Sequence, residues 1–178
     1  MNIGMISSRY ATALLGFATQ QKLENEFYEM AKIVCLHFDE QPKLMQVLEN
    51  PVVDLATKKK LLLLAAGSQK NASFDKFVQL VIDNKREKYF RTIMLKYIDF
   101  YRDRLNIYSG KLITATAIDA KLEKKLISVI ENRKEGTLEL QKEVNPDLVG
   151  GFILEVDNTR WDASIKRQLQ AIKNEFNF

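Results

Sequence analysis

Apolar residues in the first 105 positions recur every three and four residues, which is the spacing of one face of an α-helix. The pattern predicts six amphipathic helices. Their apolar stripes are, in chain order, Ile3, Ile6, Tyr10, Ala13, Leu14 and Phe17; Leu23, Phe27, Met30, Val34 and Phe38; Leu44, Met45 and Leu48; Leu61–Leu64; Phe74, Phe77, Val78, Val81 and Ile82; and Phe90, Ile93, Met94, Tyr97, Tyr101 and Leu105. A helix on its own leaves its apolar stripe exposed to water. Residues 1–105 are therefore expected to pack as a six-helix bundle.

Several residues mark where these helices begin and end. Asn50-Pro51 should end the third helix, because the residue before proline avoids the helical region. Asp54 is a typical N-cap, since its carboxylate can accept a backbone N–H. Gly67 suits the position that follows a helix.

The pattern changes after Leu105 to the alternation typical of strands. Strands are predicted over Gly110–Ile118, around Leu138, Leu140 and Val144, and over Phe152, Leu154 and Val156. Helices are predicted after Asp119 and after Asp162, with stripes Leu122, Leu126, Val129 and Ile130, and Ile165, Leu169, Ile172 and Phe176. Residues 106–178 should therefore form a small mixed β-α-β-β-α domain, which makes the whole chain an α+β protein of two domains.

Charge and composition limit the possible environments of the chain. The net charge of +4 resides in residues 1–105, whereas residues 106–178 are neutral, which fits two modules with different partners. The longest apolar run, Leu61–Ala66, is far below the roughly 20 residues of a membrane span. No signal peptide is evident. The single cysteine, Cys35, lies in an apolar stretch and is expected to be a buried, inert thiol.

A search for chemistry finds no catalytic, cofactor or metal site. One cysteine and one histidine, His37, are too few for a zinc site. Gly110-Lys111 lacks the rest of a phosphate loop, and Gly150-Gly151 is expected to mark a bulge or a close backbone approach.

Basic residues leave a nucleic-acid alternative open. Lys58-Lys59-Lys60 is expected on a solvated helix face. Lys85, Arg86, Lys88 and Arg91 interleave with Tyr89 and Phe90, as in platforms that stack bases, although Phe90 falls on an apolar stripe and should be core. An RNA-binding or general helical adaptor protein is the alternative function.

Short motifs spread over the whole length make the chain resemble one family. Arg9-Tyr10-Ala11, followed by Ala13-Leu14, lies near the start of the chain, and Asn84-Lys85-Arg86 ends the fifth helix, with Lys85 where relatives commonly have glycine. Near the C-terminus, Leu148-Val149-Gly150-Gly151 and an apolar strand precede Asp157, then Asp162-Ala163-Ser164-Ile165, then Leu169. In this order and at these spacings, the motifs resemble the delta subunit of F-type ATP synthases, called the oligomycin sensitivity-conferring protein in mitochondria.

The resemblance implies a non-catalytic stator subunit that needs no cofactor. The bundle would bind the N-terminal helices of the alpha subunits in the catalytic head, and the second domain would bind the b subunits of the peripheral stalk. The groove walls would be the first and fifth helices, presenting Tyr10, Ala13 and Leu14, and Phe77, Leu80, Val81 and Asn84. Structural roles would belong to Arg9, Arg86, Gly150, Gly151, Asp157, Asp162, Ser164 and Leu169, with Asp162 and Ser164 as caps and Leu169 in the core. The protein would be a monomer in isolation, bind no nucleic acid and lie at the cytoplasmic face of the cell membrane within the complex.

Overall fold

A computed structural model describes residues 3–67, 71–116, 119, 123, 127–128, 136–156 and 159–176. The chain divides into two compact units, Met1–Asp103 and Arg104–Phe178. The described part of the first unit is helical, and the second contains a mixed sheet and a terminal helix. The α+β class predicted from the sequence is therefore confirmed.

Six α-helices occupy the described part of the first unit. They are α1 (Ile3–Gln21), α2 (Glu24–Glu40), α3 (Lys43–Glu49), α4 (Leu55–Ala65), α5 (Ala72–Asp83) and α6 (Phe90–Leu105), with a 3-10 turn at Glu87–Tyr89 before α6.

The predicted helix boundaries of this unit are confirmed by local geometry. The third helix ends at Glu49, with Asn50 in an extended conformation before proline. The Asp54 carboxylate accepts the backbone N–H of Thr57 at 2.8 Å and caps α4. A hydrogen bond from the Thr57 side chain, together with this bond from its backbone N–H, lowers the pKa of Asp54. Gly67 follows α4 with φ +90°, which glycine adopts without strain.

Aromatic side chains join α2, α5 and α6 in the interior. Phe27 meets Phe74 edge to face with ring centroids 5.6 Å apart, and Phe90 meets Phe74 in the same way at 6.3 Å. Tyr28 stacks on Tyr101 at 4.4 Å. Since such pairs add to the free energy of burial, these rings fix the three helices against one another.

The buried face of α1 differs from the predicted stripe. Its buried residues are Ile6, Ser7, Ala11, Leu14 and Ala18, whereas Ile3, Ala13 and Phe17 are exposed. The prediction was wrong because α1 carries apolar residues on two faces, and spacing alone merges them. Leu105 was also placed on a core stripe, yet it is 48% exposed at the last residue of α6.

Four strands form the sheet of the second unit, in the order β2-β1-β3-β4. They are β1 (Ile107–Thr114), β2 (Thr137–Val144), β3 (Phe152–Val156) and β4 (Thr159–Asp162). The first two strands pair in parallel, and the other neighbours pair antiparallel. A 3-10 turn, Pro146–Leu148, precedes β3, and α7 (Ile165–Phe176) follows β4.

Two sequence predictions about this unit need correction. The first strand begins at Ile107 and ends at Thr114, rather than running from Gly110 to Ile118. The strand β4 was not predicted, and its last residue, Asp162, was expected to cap the final helix, because four residues are too few to show an alternation.

The predicted helix between β1 and β2 falls largely outside the described residues. Glu123, Ile127 and Ser128 are helical, and Glu123 donates its backbone N–H to the Asp119 carbonyl at 3.1 Å. The predicted stripe of Leu122, Leu126, Val129 and Ile130 lies outside the described residues, as do Ala117 and Ile118.

The described residues of the second unit include a cluster of buried apolar side chains on the sheet. Leu112, Leu138, Leu154 and Val156 are buried against one another, with Tyr108, Ile127, Leu140 and Phe152 packed around them.

Candidate functional site

A groove opens on the first unit between α1 and the end of α5. It has a volume of about 430 Å³. We call it the α1–α5 groove, and its lining residues are Ile6, Arg9, Tyr10, Ala13, Leu80, Asn84 and Arg86. The α1 residues follow the three- and four-residue spacing of one helix face, so this is the second apolar face of α1.

Four of the seven predicted partner-binding residues meet in this groove. Ala13 and Asn84 are exposed, Tyr10 is half-buried, and Leu80 is 50% exposed. A leucine and a tyrosine ring with free surface provide apolar area, and the small Ala13 allows close approach of another backbone. The Asn84 side chain donates to the Leu80 carbonyl at 2.7 Å, which holds this end of α5 in shape.

The other three predicted residues are buried inside the first unit. Leu14 is 2% exposed, Phe77 is 7% exposed and Val81 is fully buried. They do not line the groove. Since almost no surface of these side chains reaches solvent, they support the groove walls by packing inside the unit.

Two arginines in the lining were assigned only a structural role by the sequence motifs. Arg9 is exposed on α1, and Arg86 is half-buried just after α5. No hydrogen-bond or ion-pair partner of either guanidinium lies among the described residues. The sequence could have placed both arginines at the groove, because Arg9 directly precedes Tyr10 and Arg86 follows Asn84 by two residues, and Tyr10 and Asn84 were predicted groove residues.

The backbone around Arg86 is fixed by the end of α5. Lys85 adopts φ +56° and donates its N–H to Ile82 at 2.8 Å, while the Arg86 N–H reaches back to Val81 at 2.9 Å. These two bonds form a Schellman motif, which ends a helix with one left-handed residue. The helix therefore stops here although the residue in the left-handed conformation is a lysine and not a glycine.

A buried ion pair anchors the residue that follows Arg86. The Lys58 ammonium lies 2.8 Å from a Glu87 carboxylate oxygen, and the two side chains are 5% and 11% exposed. Lys58 was expected on a solvated face, and that prediction was wrong because its partner lies 29 positions away in sequence. The pair joins α4 to the 3-10 turn beside the groove.

Part of the predicted nucleic-acid patch is committed to internal contacts. Phe90 is fully buried, as expected of a core residue. The Arg91 guanidinium binds Asp39 at 2.6 Å, and the Lys88 ammonium lies 5.1 Å from the centre of its neighbour's ring, Tyr89. The patch, all of it within the described residues, therefore leaves no second ring to stack a base beside Tyr89.

A second apolar surface lies on the second unit. Ile165, Leu169 and Ile172 form a line along α7 and are 41%, 55% and 49% exposed; we call them the α7 stripe. Leu169 was expected in the core, and that prediction was wrong. No side chain from Ile165 to Asn174, a fully described range, is buried. The apolar face of this helix is therefore exposed to solvent, whereas the apolar face of an amphipathic helix ordinarily packs against the core.

The glycine motif and the cap before α7 have the close packing that the sequence suggested. A Cβ on Gly150 would lie 2.5 Å from the Ile165 side chain, and one on Gly151, at φ +74°, would collide with the Ala163 carbonyl oxygen. The cap of α7 is Ser164, whose hydroxyl accepts the Arg167 N–H at 3.2 Å.

Asp162 supports this cap instead of forming it. One of its carboxylate oxygens accepts the Ser164 hydroxyl at 2.6 Å and the Ser164 N–H at 3.0 Å. The bond from the Ser164 hydroxyl, together with that from the N–H, lowers the pKa of Asp162. Asp157 lies outside the described residues.

The remaining candidates for chemistry serve the fold. Burial raises the pKa of the Cys35 thiol to about 11, as expected of an inert cysteine. The His37 ring bonds the Ala65 carbonyl at 2.8 Å and ties α2 to α4. The described residues contain no group of three or more His, Cys, Asp or Glu arranged to hold a metal ion. None of their helices has the length and apolar content needed to cross a membrane.

Apolar surfaces on two separate units are features of a protein that connects other proteins. Comparison with known sequences agrees with this class. A sequence model of the ATP synthase delta (OSCP) subunit matches residues 6–176. The chain is 38% identical over 177 residues to ATP synthase subunit delta of Phocaeicola vulgatus, covering 99% of this chain and 96% of the relative. It is 36% identical over 178 residues to the subunit delta of Bacteroides thetaiotaomicron, with the same coverage.

A solved structure shows the same fold. A chain of the Toxoplasma gondii mitochondrial ATP synthase hexamer, determined by cryo-electron microscopy, superposes with a TM-score of 0.66 at 17% identity. The match covers 95% of this chain and 96% of that chain. The protein belongs to the ATP synthase delta (OSCP) subunit family. It is a non-catalytic subunit of the peripheral stator of an F-type ATP synthase, as the sequence motifs had indicated.

Proposed function

We propose that the two units bind different parts of the synthase and so connect them. The first unit, residues 1–105 arranged as a six-helix bundle, docks on the N-terminal helices of the alpha subunits at the catalytic head. The second unit, residues 106–178, docks on the b subunits of the peripheral stalk. The connection keeps the head from turning with the rotor, so that rotation is coupled to ATP synthesis.

The α1–α5 groove supports the first half of the proposal. An amphipathic helix binds by placing apolar anchors at helical spacing into a groove between two helices. Here the apolar walls come from α1 and α5, and Leu80 and Tyr10 retain free surface. The groove is the single observation that carries the assignment of the alpha subunit to the first unit.

The α7 stripe supports the second half. Three large apolar side chains on one face of this helix remain exposed. A helix from the b subunits that covers Ile165, Leu169 and Ile172 would bury this area. The protein would then sit at the cytoplasmic face of the cell membrane as a peripheral component of the complex, and would be a monomer when isolated.

Calorimetric titration of the full chain with a peptide of the alpha subunit's N-terminal ~25 residues tests the groove. Binding at or below ~1 μM is expected, which corresponds to about 8 kcal/mol. Ala13→Glu should abolish it, because a charge would stand on the groove wall. Thr12→Glu is the matched control, since Thr12 is the neighbouring exposed residue of the same helix and stands outside the groove lining. Equal loss with both variants, or no binding by the folded wild type, would refute docking in this groove.

A further inference from the structure

The charges in the α1–α5 groove are of one sign. Arg9 and Arg86 contribute two guanidinium groups, and the other lining residues are apolar or uncharged. Among the described residues, no acidic side chain lines the groove. The net charge of +4 also resides in the first 105 residues. An occupant of this groove therefore meets a positive potential along its polar borders.

The two arginines differ from other arginines of the first unit. Arg91 is held by Asp39 at 2.6 Å, and Arg102 donates to the Tyr28 hydroxyl at 2.9 Å. Arg9 and Arg86 have no such partner in the part of the chain that the structure describes. A guanidinium offers five donors in a planar fork that suits a carboxylate, so both groups retain their capacity to bind one.

Arg86 is also held in place by its neighbours. Its backbone is fixed by the Schellman motif at the end of α5, and the next residue, Glu87, is tied to Lys58 inside the unit. Part of the Arg86 side chain is already desolvated by its surroundings. Because a preorganised and partly desolvated cation loses less freedom on binding, it discriminates between partners better than a freely moving one.

We propose that the groove selects amphipathic helices that carry carboxylates beside their apolar face, with Arg9 and Arg86 as the selecting residues. The inference rests on the proposed docking of a helix in the groove and names the chemistry of that helix. Lys58 and Glu87 act through Arg86 as positioning residues.

Two synthetic helical peptides with the same leucine stripe test the inference. One carries glutamates at the positions that border the stripe, and the other carries glutamines there. Calorimetry with the full chain at 50 mM salt should show ~10-fold tighter binding of the glutamate peptide, as expected for two partly exposed charge pairs. The preference should shrink at 300 mM salt, because mobile ions screen exposed charges.

Variants locate the source of the preference. Arg9→Gln with Arg86→Gln should remove the preference, so that the variant binds the glutamate and glutamine peptides equally. Lys43→Gln with Lys60→Gln removes the same two positive charges at exposed residues of α3 and α4 outside the groove, and this variant should keep the preference. Lys58→Met should reduce the preference by loosening Arg86, and Lys58→Arg should restore it.

The outcomes separate this inference from the proposed function. Equal binding of both peptides, or a preference that survives the double substitution, would overturn charge selection and leave the groove as a docking site. Binding of neither peptide by the folded chain would overturn both.

Discussion

Lys85 occupies a left-handed backbone conformation that costs free energy in most residues that carry a Cβ. Its φ of +56° closes the Schellman motif after α5, and Lys22 at φ +58° does the same after α1, with N–H groups of Lys22 and Leu23 bonded to Thr19 and Ala18. The left-handed region costs about 1–2 kcal/mol for a side chain with a Cβ. The chain therefore ends two helices with lysine where glycine is easier.

Lys85→Gly should stabilise the first unit by about 0.5–1 kcal/mol. Relief of the left-handed strain exceeds the extra freedom that glycine gives the unfolded chain, which is worth about 0.4–1 kcal/mol. Urea denaturation followed by circular dichroism measures the change. Lys76→Gly, on an exposed helical residue of α5, should instead destabilise by about 1 kcal/mol. A loss of stability in Lys85→Gly would mean that the lysine side chain contributes more than its strain removes.

Gly151→Ala should destabilise the second unit by more than about 2 kcal/mol. The new Cβ would collide with the Ala163 carbonyl, and alanine at φ +74° is strained in addition. The single tryptophan, Trp161, lies in β4, so its fluorescence during urea denaturation reports on this unit.

Gly16→Ala is the control, because it should increase stability where Gly151→Ala decreases it. Gly16 is helical within α1, and a Cβ there would meet no atom of the described residues within 4 Å. Stability of the first unit should rise by about 0.5–1 kcal/mol.

An unchanged tryptophan transition in Gly151→Ala would show that the glycine pair is not required for the packing of β4 and α7.

At the scale of elements, sequence patterns succeeded where one helix face is apolar. The buried face of α5 was predicted in full, and its residues are Phe74, Phe77, Val78, Val81 and Ile82. Leu80, which was not part of that predicted stripe, is exposed. The stripe of α1 mixed a buried face with a groove face, since spacing does not tell which of two apolar faces packs inward. The four groove residues were found through family resemblance, and the arginines were given a different role.

Other features depend on contacts between distant residues and so escape local patterns. The burial of Lys58 requires Glu87, which lies on another element. The exposure of Leu169 depends on whether the rest of the unit covers α7, and a helix of strong amphipathic pattern is ordinarily expected to be covered. Sequence periodicity predicts that a face is apolar, but not whether the chain itself or a partner covers it.

The cap of α7 should make the stability of the second unit depend on acidic pH. The pKa of Asp162 is below its ordinary value of 3.8, because the Ser164 hydroxyl and N–H bond the ionised carboxylate. When a carboxyl has a lower pKa in the folded protein than in the unfolded chain, its ionised form stabilises the fold. This stabilisation is complete above the pKa of the unfolded chain, and it is lost as the pH falls to the pKa of the folded protein. Stability should therefore fall below about pH 4.

Asp162→Asn tests this dependence. The variant should be less stable than the wild type at pH 7, and the difference should shrink as the pH falls below about 4. Thermal unfolding followed by circular dichroism at several pH values measures it. A difference that is constant with pH would contradict a role for the ionised carboxylate.

At the scale of the whole molecule, a connector needs two binding surfaces, and a substitution in one should not change binding at the other. The α1–α5 groove and the α7 stripe belong to different units. Ala13 and Leu169 are both exposed, so a charge at either position should leave the unit folded. A substitution on one unit should therefore remove one partner and spare the other.

Ala13→Glu should lose the alpha-subunit peptide and keep binding of the soluble part of the b subunits. Leu169→Glu should do the reverse, because a charge in the middle of the α7 stripe opposes its burial. Calorimetry with each partner measures both effects. Gln170→Glu, at the neighbouring exposed residue of α7, should spare both. If Leu169→Glu also weakened the alpha-subunit peptide, the two surfaces would be energetically coupled and the protein would act as more than a passive link. If it weakened neither partner, the stalk would bind the second unit elsewhere than on α7.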